Sequence, residues 1–129
     1  MRDYRNLKVW TKAHRLTLAV YTGTENFPKS ELFGLRSQIR RASVSIEANL
    51  AEGCGRRSDG ELARFVQIAM GSGAELSCHL LLAKDLGFMN ETEYAALHQG
   101  TSEVLRMLSA LSETVKPRQR DGFKLRAKG

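Results

Sequence analysis

The sequence predicts an all-α protein, folded as an antiparallel up-down-up-down four-helix bundle. Apolar residues recur at intervals of three and four along four separate segments, which is the pattern of one buried helix face. Short stretches with glycine, proline or helix-capping residues separate these segments, and the sequence shows no alternating strand pattern. Four long helices joined by short turns pack beside their neighbours in sequence. We expect residues 1–116 to form this bundle as one domain.

The first helix is expected over residues 6–24. Its apolar face carries Val9, Ala13, Leu16 and Val20. Pro28 ends the segment, because a proline disfavours the helical conformation for the residue before it, Phe27. The second helix is then expected over residues 31–54, with the Ser30 hydroxyl capping its first turn.

The apolar face of the second helix contains one polar residue, Asn49. The residues spaced along this face are Leu32, Leu35, Ile39, Ala42, Ile46, Asn49 and Gly53. A buried amide needs hydrogen-bond partners and often fixes helix register or the choice of partner. We therefore interpret Asn49 as structural. We expect the second helix to be covered on more than one side, most simply by an identical subunit.

The turn after the second helix is expected to be tight. Gly53 and Gly55 are interpreted as residues in the left-handed conformations that end a helix. Ser58 and Glu61 have the spacing of a capping box at the start of the third helix, which is expected over residues 59–86. The second and third helices should therefore lie antiparallel.

Glycines interrupt the middle of the third helix at Gly71 and Gly73. Because glycine costs about 1 kcal/mol relative to alanine inside a helix, we expect either a closely packed neighbouring helix or a ligand at the backbone. Gly87 is expected to cap the C-terminus of this helix. An Asn-x-x-Glu capping box at Asn90 then begins the fourth helix, expected over residues 91–115.

The net charge of +6 is concentrated at the C-terminus. Residues 116–129 contain six lysines or arginines and one aspartate, whereas the other 115 residues carry 14 basic and 13 acidic side chains. We expect residues 117–129, which contain few apolar residues, to be a basic tail that is disordered when alone. The cations of this C-terminal stretch are Lys116, Arg118, Arg120, Lys124, Arg126 and Lys128.

Composition argues against a membrane or secreted protein. The sequence has no run of 18 uncharged apolar residues, and its N-terminus lacks the cleavage site of a signal peptide. Two cysteines, Cys54 and Cys78, are too few for a disulfide framework and are expected to be free thiols. We therefore expect a cytoplasmic protein without a membrane span.

Motifs for catalysis or metal binding are missing from the sequence. The Glu-x-x-His pairs of di-iron bundles do not occur, and Glu75 with His79 would form only half of a metal site. Cys78 and His79 are adjacent, so on a helix their side chains point about 100° apart and cannot pair. The glycines around Arg56 match no nucleotide-binding loop. We expect no enzymatic activity, no metal and no cofactor.

Two groups of arginines are candidates for binding phosphate. Arg56 and Arg57 precede the third helix, whose N-terminus favours an anion, although solvated turn arginines give the same pattern. The second group is Arg36, Arg40 and Arg41, either a row of guanidiniums for phosphate or part of a network of salt bridges. We assign Arg36 to binding and the other two to structure. The carboxylates available for such a network are Glu47, Glu52 and Glu75.

A family resemblance is carried by the segment QIRRASVSIEANLAEGCGRRSDGELARFVQIAMGSGAEL. It resembles the signature of four-helix bundle proteins encoded in intervening sequences of bacterial 23S ribosomal RNA genes. The resemblance runs from about Leu7 to about Leu111 and is most specific at 40–42, 49–53 and 61–75. That family is distantly similar to accessory proteins of diversity-generating retroelements. The resemblance implies a ring-like homo-oligomer, with a pentamer favoured.

The leading functional hypothesis is a non-enzymatic, homo-oligomeric scaffold that binds nucleic acid, such as structured RNA or an RNA–protein complex. The C-terminal cations would supply sequence-independent affinity, and Arg36, Arg56 and Arg57 would add shaped contacts. The alternative is a protein-interaction adapter that presents helix faces to an enzyme such as a reverse transcriptase, without binding nucleic acid itself. A third hypothesis is a small-molecule cavity lined by Tyr94, His98 and Thr101.

Overall fold

Apolar stripes on four α-helices meet in one core in the computed structural model, which describes residues 2–116. The helices are α1 (Lys8–Gly23), α2 (Leu35–Cys54), α3 (Asp59–Asp85) and α4 (Glu91–Thr114). Each helix packs against its neighbours in sequence, and α1 also packs against α4. The predicted four-helix bundle is confirmed, and residues 2–116 contain no strand. The predicted basic tail, residues 117–129, lies outside the described part of the chain.

The core is built from the apolar faces that the periodicity predicts. The predicted residues of α1 are buried, and so are Leu97, Thr101, Val104 and Leu108 of α4. Fully burying one leucine, isoleucine or valine contributes about 1.5 to 3 kcal/mol relative to leaving it exposed. The largest fully buried side chains include Ile39, Ile46, Leu50, Leu62, Leu76, Leu80 and Leu108. The centre of the bundle is therefore aliphatic.

The predicted position of Asn49 in this core is wrong. Leu50 is fully buried in its place, whereas Asn49 is only half-buried and Leu32 is 44% exposed. The next fully buried residue after Ile46 is Leu50, four positions further on, and not Asn49, three positions further on. The Asn49 amide donates hydrogen bonds to the carbonyl oxygen and the hydroxyl of Ser45, one turn earlier in the same helix. It is therefore satisfied locally, at the edge of the apolar face.

The start of α2 also differs from the prediction. Lys29–Glu31 form a separate 3-10 turn, α2 begins at Leu35, and its N-cap residue is Gly34. Ser30 therefore does not cap the helix. Instead, the Glu31 carboxylate accepts a 2.9 Å hydrogen bond from the backbone N–H of Leu35. A carboxylate is favourable there because the first turn of a helix has unsatisfied N–H groups and a partial positive charge.

The turn between α2 and α3 is short, as predicted, but its glycines serve a different purpose. Neither Gly53 nor Gly55 has a positive φ. A Cβ on Gly53 would lie 2.9 Å from both Leu62 Cδ1 and Phe65 Cβ, so this glycine permits close approach of the two helices. Ser58 Oγ accepts a hydrogen bond from the backbone N–H of Glu61 and caps α3. The predicted capping box is only half formed, because the Glu61 carboxylate accepts from the Ser58 hydroxyl rather than from its backbone N–H.

The predicted caps at Gly87 and Asn90 are confirmed. Gly87 ends α3 with a φ of 83°, and the backbone N–H groups of Gly87 and Phe88 donate back to carbonyls of the last turn. Asn90 and Glu93 form the complete capping box that begins α4.

The apolar character of α3 follows from its place in the core. Within residues 2–116, α3 alone has the length and composition of a helix that could cross a membrane, a property shared by core helices of soluble proteins. Its glycines differ from each other. A Cβ on Gly73 would meet Leu105 Cδ2 at 2.7 Å, whereas one on Gly71 would have no atom within 4 Å. The expected close approach therefore applies to Gly73 alone.

The packing at the α2–α3 turn is tested by a matched pair of substitutions. We expect Gly53→Ala to lower the free energy of unfolding by about 1 to 3 kcal/mol, because the methyl group would collide with the Cβ of Phe65. Gly55→Ala should change it by less than about 0.5 kcal/mol, since Gly55 has ordinary helical dihedral angles and an exposed position. Urea unfolding followed by circular dichroism measures both values. Equal stabilities of the two variants would contradict the close packing.

Candidate nucleic-acid interface

One end of the bundle gathers basic residues from three separate parts of the chain. The backbone N–H of Arg2 donates to the carbonyl oxygen of Cys54, which holds the N-terminal segment against the end of α2. Gln67 near the start of α3 donates to Ser112 near the end of α4. Lys116, where the basic C-terminal stretch begins, therefore lies at the same end as the α2–α3 turn. We call this surface the basic end and define it by Arg2, Arg56, Arg57 and Lys116.

Most cations of the basic end have carboxylate partners close by. Arg56 pairs with Glu52 at 2.8 Å, Arg2 with Asp59 at 2.9 Å and Lys116 with Glu113 at 2.8 Å. These pairs are solvent-accessible, and such pairs contribute about 0 to 1 kcal/mol each. Exchanging a carboxylate for a phosphate would therefore cost little.

Arg57 is the exception at the basic end. Within residues 2–116, Arg57 makes no hydrogen bond or ion pair. It lines a pocket of about 140 Å³ together with Arg2, Arg56, the N-cap residue Ser58 and Asp59. The arrangement brings guanidinium groups to the N-terminus of α3, where backbone N–H groups also attract an anion. Arg56 and Arg57 are thus brought together as predicted.

Arg36 lies far from these residues. It occupies the first turn of α2, whereas Arg56 follows the last, and the 20 residues of this helix span about 30 Å. Its Nε atom is buried without a hydrogen-bond partner in residues 2–116. Leaving a buried donor unsatisfied costs about 1 to 3 kcal/mol, and more for a charged group. Arg36 is therefore an independent feature and not part of the basic end.

The network of salt bridges considered for the arginines of α2 is not formed within the described residues. Glu47 contacts His14 of α1 at 2.9 Å, Glu52 contacts Arg56, and Glu75 contacts His79 at 3.3 Å. Glu52 and Glu75 each pair with a residue four positions further along the chain, whereas Glu47 contacts a residue of another helix.

Arg40 instead joins α2 to the end of α1. Its guanidinium donates to the Tyr21 carbonyl oxygen and the Thr24 hydroxyl, and it lies 4.4 Å from the centre of the Tyr21 ring. Arg40 therefore connects the two helices through neutral acceptors and an aromatic ring rather than through a salt bridge.

A groove on the outer face of α2 and α3 is a feature that sequence reasoning missed. It has a volume of about 430 Å³, and its walls include Gln38, Arg41, Ala42, Ser45, Ser72 and Glu75. The hydroxyls of Ser45 and Ser72 lie 2.8 Å apart and connect the two helices across its floor. The small residues of both helices are the sequence signal for such a groove. Arg41 and Glu75, assigned to structure or interface, both line it.

The histidines and cysteines form no recognisable catalytic or metal site in the described residues. No group of three or more His, Cys, Asp or Glu side chains in residues 2–116 is arranged to hold a metal ion. His14 stacks on Trp10 and contacts Glu47, a pairing across 33 positions that spacing alone does not reveal. The Nδ1 atom of His79 is buried without a hydrogen-bond partner in the described residues.

Five of the predicted binding residues lie outside the described part of the chain. They are Arg118, Arg120, Lys124, Arg126 and Lys128. The sixth cation of this stretch, Lys116, is at the basic end.

A protein-family comparison gives the relationship of this chain. Residues 5–110 match the model of the 23S rRNA-intervening sequence protein family. The chain belongs to this family. The match confirms the resemblance carried by the α2–α3 segment, while the distant similarity to retroelement accessory proteins stays a prediction. No curated protein matches the chain.

A solved structure shows the same fold. The chain is 20% identical to a protein of unknown function from the S23 ribosomal protein family of Bacteroides thetaiotaomicron. The two superpose with a TM-score of 0.73 over 81% of this chain and 97% of that one. At this identity the likeness extends to the fold alone.

The two cysteines should differ in reactivity. Cys54 is 1% exposed and burial raises the pKa of its thiol, whereas Cys78 is exposed. Because only the thiolate reacts, we expect a disulfide reagent at pH 8 to label Cys78 at least about tenfold faster than Cys54. Measuring the Cys78→Ser and Cys54→Ser variants separately gives the two rates. Rapid labelling of Cys54 in the folded protein would contradict its burial.

Proposed function

We propose that the protein is a non-enzymatic, cofactor-free, homo-oligomeric scaffold of the cytoplasm that binds nucleic acid through its basic end. The observation that supports this proposal is the common location of Arg56, Arg57 and Lys116. The chain continues from Lys116 into a stretch whose other five cations are accompanied by one aspartate. Phosphate contacts from lysine and arginine supply affinity that does not depend on sequence. Structured RNA, alone or in an RNA–protein complex, is the proposed ligand.

The homo-oligomer is proposed on the outer face of α2 and α3. Three large apolar side chains of this region, Val44, Ile68 and Leu82, are 39 to 46% exposed. In the outer groove, the small residues Ala42, Ser45 and Ser72 leave space for a side chain of another subunit, and Gln38, Arg41 and Glu75 offer polar contacts to it. Family resemblance favours a pentamer. In such a ring five basic ends would act on one polyanion, and multivalency strengthens binding that is weak at each site.

The basic end is tested by the salt dependence of binding. Replacing all six cations of residues 116–129 with glutamine should lower the slope of log K against log salt concentration by as much as about 4 to 5, since each phosphate contact contributes about 0.7 to 0.9. Arg57→Gln should lower this slope by about 0.7 to 0.9, the contribution of one phosphate contact. Fluorescence anisotropy with a labelled RNA hairpin measures these slopes.

The matched control for this experiment is Arg106→Gln. Arg106 is an exposed arginine of α4 without a partner in residues 2–116. Arg106→Gln therefore removes one positive charge, as Arg57→Gln does. An unchanged slope in the six-glutamine variant would remove the C-terminal stretch from the interface. Equal effects of Arg57→Gln and Arg106→Gln would show a general charge effect rather than a basic end.

The subunit contact is tested by a single charge on the outer face of α3. We expect Ile68→Glu to lower the mass measured by light scattering to that of a monomer, because the carboxylate would be buried between subunits. Leu18→Glu on α1 is the control, since Leu18 is 57% exposed, and it should keep the mass of the wild type. The same mass for all three proteins would exclude this face as the contact.

The exposed apolar side chains also favour a second function, the protein-interaction adapter. In that case the face of α2 and α3 would bind a partner enzyme rather than a second copy of the chain. A complex captured from cytosol that survives nuclease treatment, together with no binding to purified RNA at any salt concentration, would favour the adapter over the scaffold.

A further inference from the structure

The first turns of α2 and Tyr21 of α1 form a second open groove, which shares Arg41 with the outer groove. It has a volume of about 310 Å³ and we call it the Phe33 groove. Its walls are Tyr21, Leu32, Phe33, Arg36, Ser37, Arg40 and Arg41. No acidic residue is among them. The groove is separated from the basic end by about 30 Å, the length of α2.

The charges of the Phe33 groove are only partly satisfied. Arg36 and Arg41 have no carboxylate partner in residues 2–116, and the Nε–H of Arg36 has no acceptor there although it is buried. Arg40, in contrast, is held in place by the Tyr21 carbonyl oxygen and the Thr24 hydroxyl. The groove therefore combines one fixed guanidinium with two that lack an anion. This arrangement is complementary to a negatively charged ligand.

The aromatic side chains of the groove give it a second chemical character. The Phe33 side chain is 92% exposed and the Tyr21 side chain is 41% exposed. Phe33 is thus the most exposed large apolar residue among residues 2–116. Tyr21 already stacks with Arg40, whereas the Phe33 ring is open to solvent. An exposed aromatic ring beside unpaired arginines is the combination that binds single-stranded nucleic acid, in which bases stack and phosphates are neutralised.

We infer that the Phe33 groove binds one nucleotide of a single-stranded segment, with its base stacked on Phe33 and its phosphate between Arg36 and Arg41. This inference rests on the proposed function and adds a contact of different chemistry to it. The basic end reads only phosphate charge, whereas this groove requires a base. An RNA with an unpaired segment would therefore engage both ends of α2, while a fully paired helix would use only the basic end.

The experiment compares two ligands on the full-length chain. One is a labelled single-stranded oligouridylate, and the other is an oligomer of equal length and charge whose nucleotides lack bases. We expect Phe33→Ala and Phe33→Leu each to weaken binding to the oligouridylate about fivefold or more, and to leave binding to the abasic oligomer unchanged, because leucine keeps apolar bulk but has no π face. Arg36→Gln should weaken both ligands. Arg106→Gln again serves as the control for net charge.

A photocrosslink gives the position of the base directly. An oligonucleotide that carries 5-iodouridine should crosslink to the peptide that contains Phe33 after irradiation, as read by mass spectrometry. Crosslinks confined to other peptides would overturn the inference.

Further outcomes separate this inference from the proposed function. Loss of binding in Phe33→Ala with full binding in Phe33→Leu would mean a plain apolar contact, as with an acidic peptide, and would overturn stacking. A changed oligomeric mass in either variant would assign Phe33 to a subunit contact and overturn it too. Equal affinity of the wild type for both ligands would overturn the base contact but leave the scaffold standing. Absence of any nucleic-acid binding by the wild type would overturn both proposals.

Discussion

The close approach of α2 and α3 is the constraint on which the basic end and the outer groove depend. Because Gly53 has no side chain, the Cβ of Phe65 can lie next to its backbone, and the two helices pack tightly from the turn onwards. Because the helices are this close, a short turn connects the end of α2 at Cys54 to the start of α3 at Asp59. Arg56 and Arg57 lie in this turn, at the end of the bundle. Further along, Ser45 of α2 and Ser72 of α3 join the two helices through their hydroxyls. These small side chains line the outer groove.

The distribution of charges reflects which groups the carboxylates of α2 and α3 contact. Glu47, Glu52 and Glu75 are paired with His14, Arg56 and His79, so they are not available to the arginines at the start of α2. Those arginines therefore remain with neutral acceptors or with none. The lack of an ion pair costs an exposed arginine such as Arg41 little stability, whereas the buried Nε–H of Arg36 without an acceptor costs about 1 to 3 kcal/mol.

The two candidate contacts have different physical demands. At the basic end, charge alone is enough for the proposed contact, because counterion release needs no exact geometry. In the Phe33 groove, an exposed aromatic ring must lie beside guanidinium groups, and the first turns of α2 together with Tyr21 of α1 bring these side chains into one groove. A ligand with both a duplex and an unpaired segment would match the spacing of about 30 Å that α2 sets between them.

The sequence by itself determined the number of helices, most of their caps and the concentration of charge at the C-terminus, because periodicity, capping chemistry and charge are local properties. Tertiary structure decided what those signals leave open. A step of four from Ile46 placed Leu50 rather than Asn49 in the core, and the bend at Gly34 delayed the start of α2. The separation of Arg36 from Arg56 follows from the length of α2 alone, whereas the His14–Glu47 contact depends on which faces of different helices meet. Helix periodicity carries no information about that.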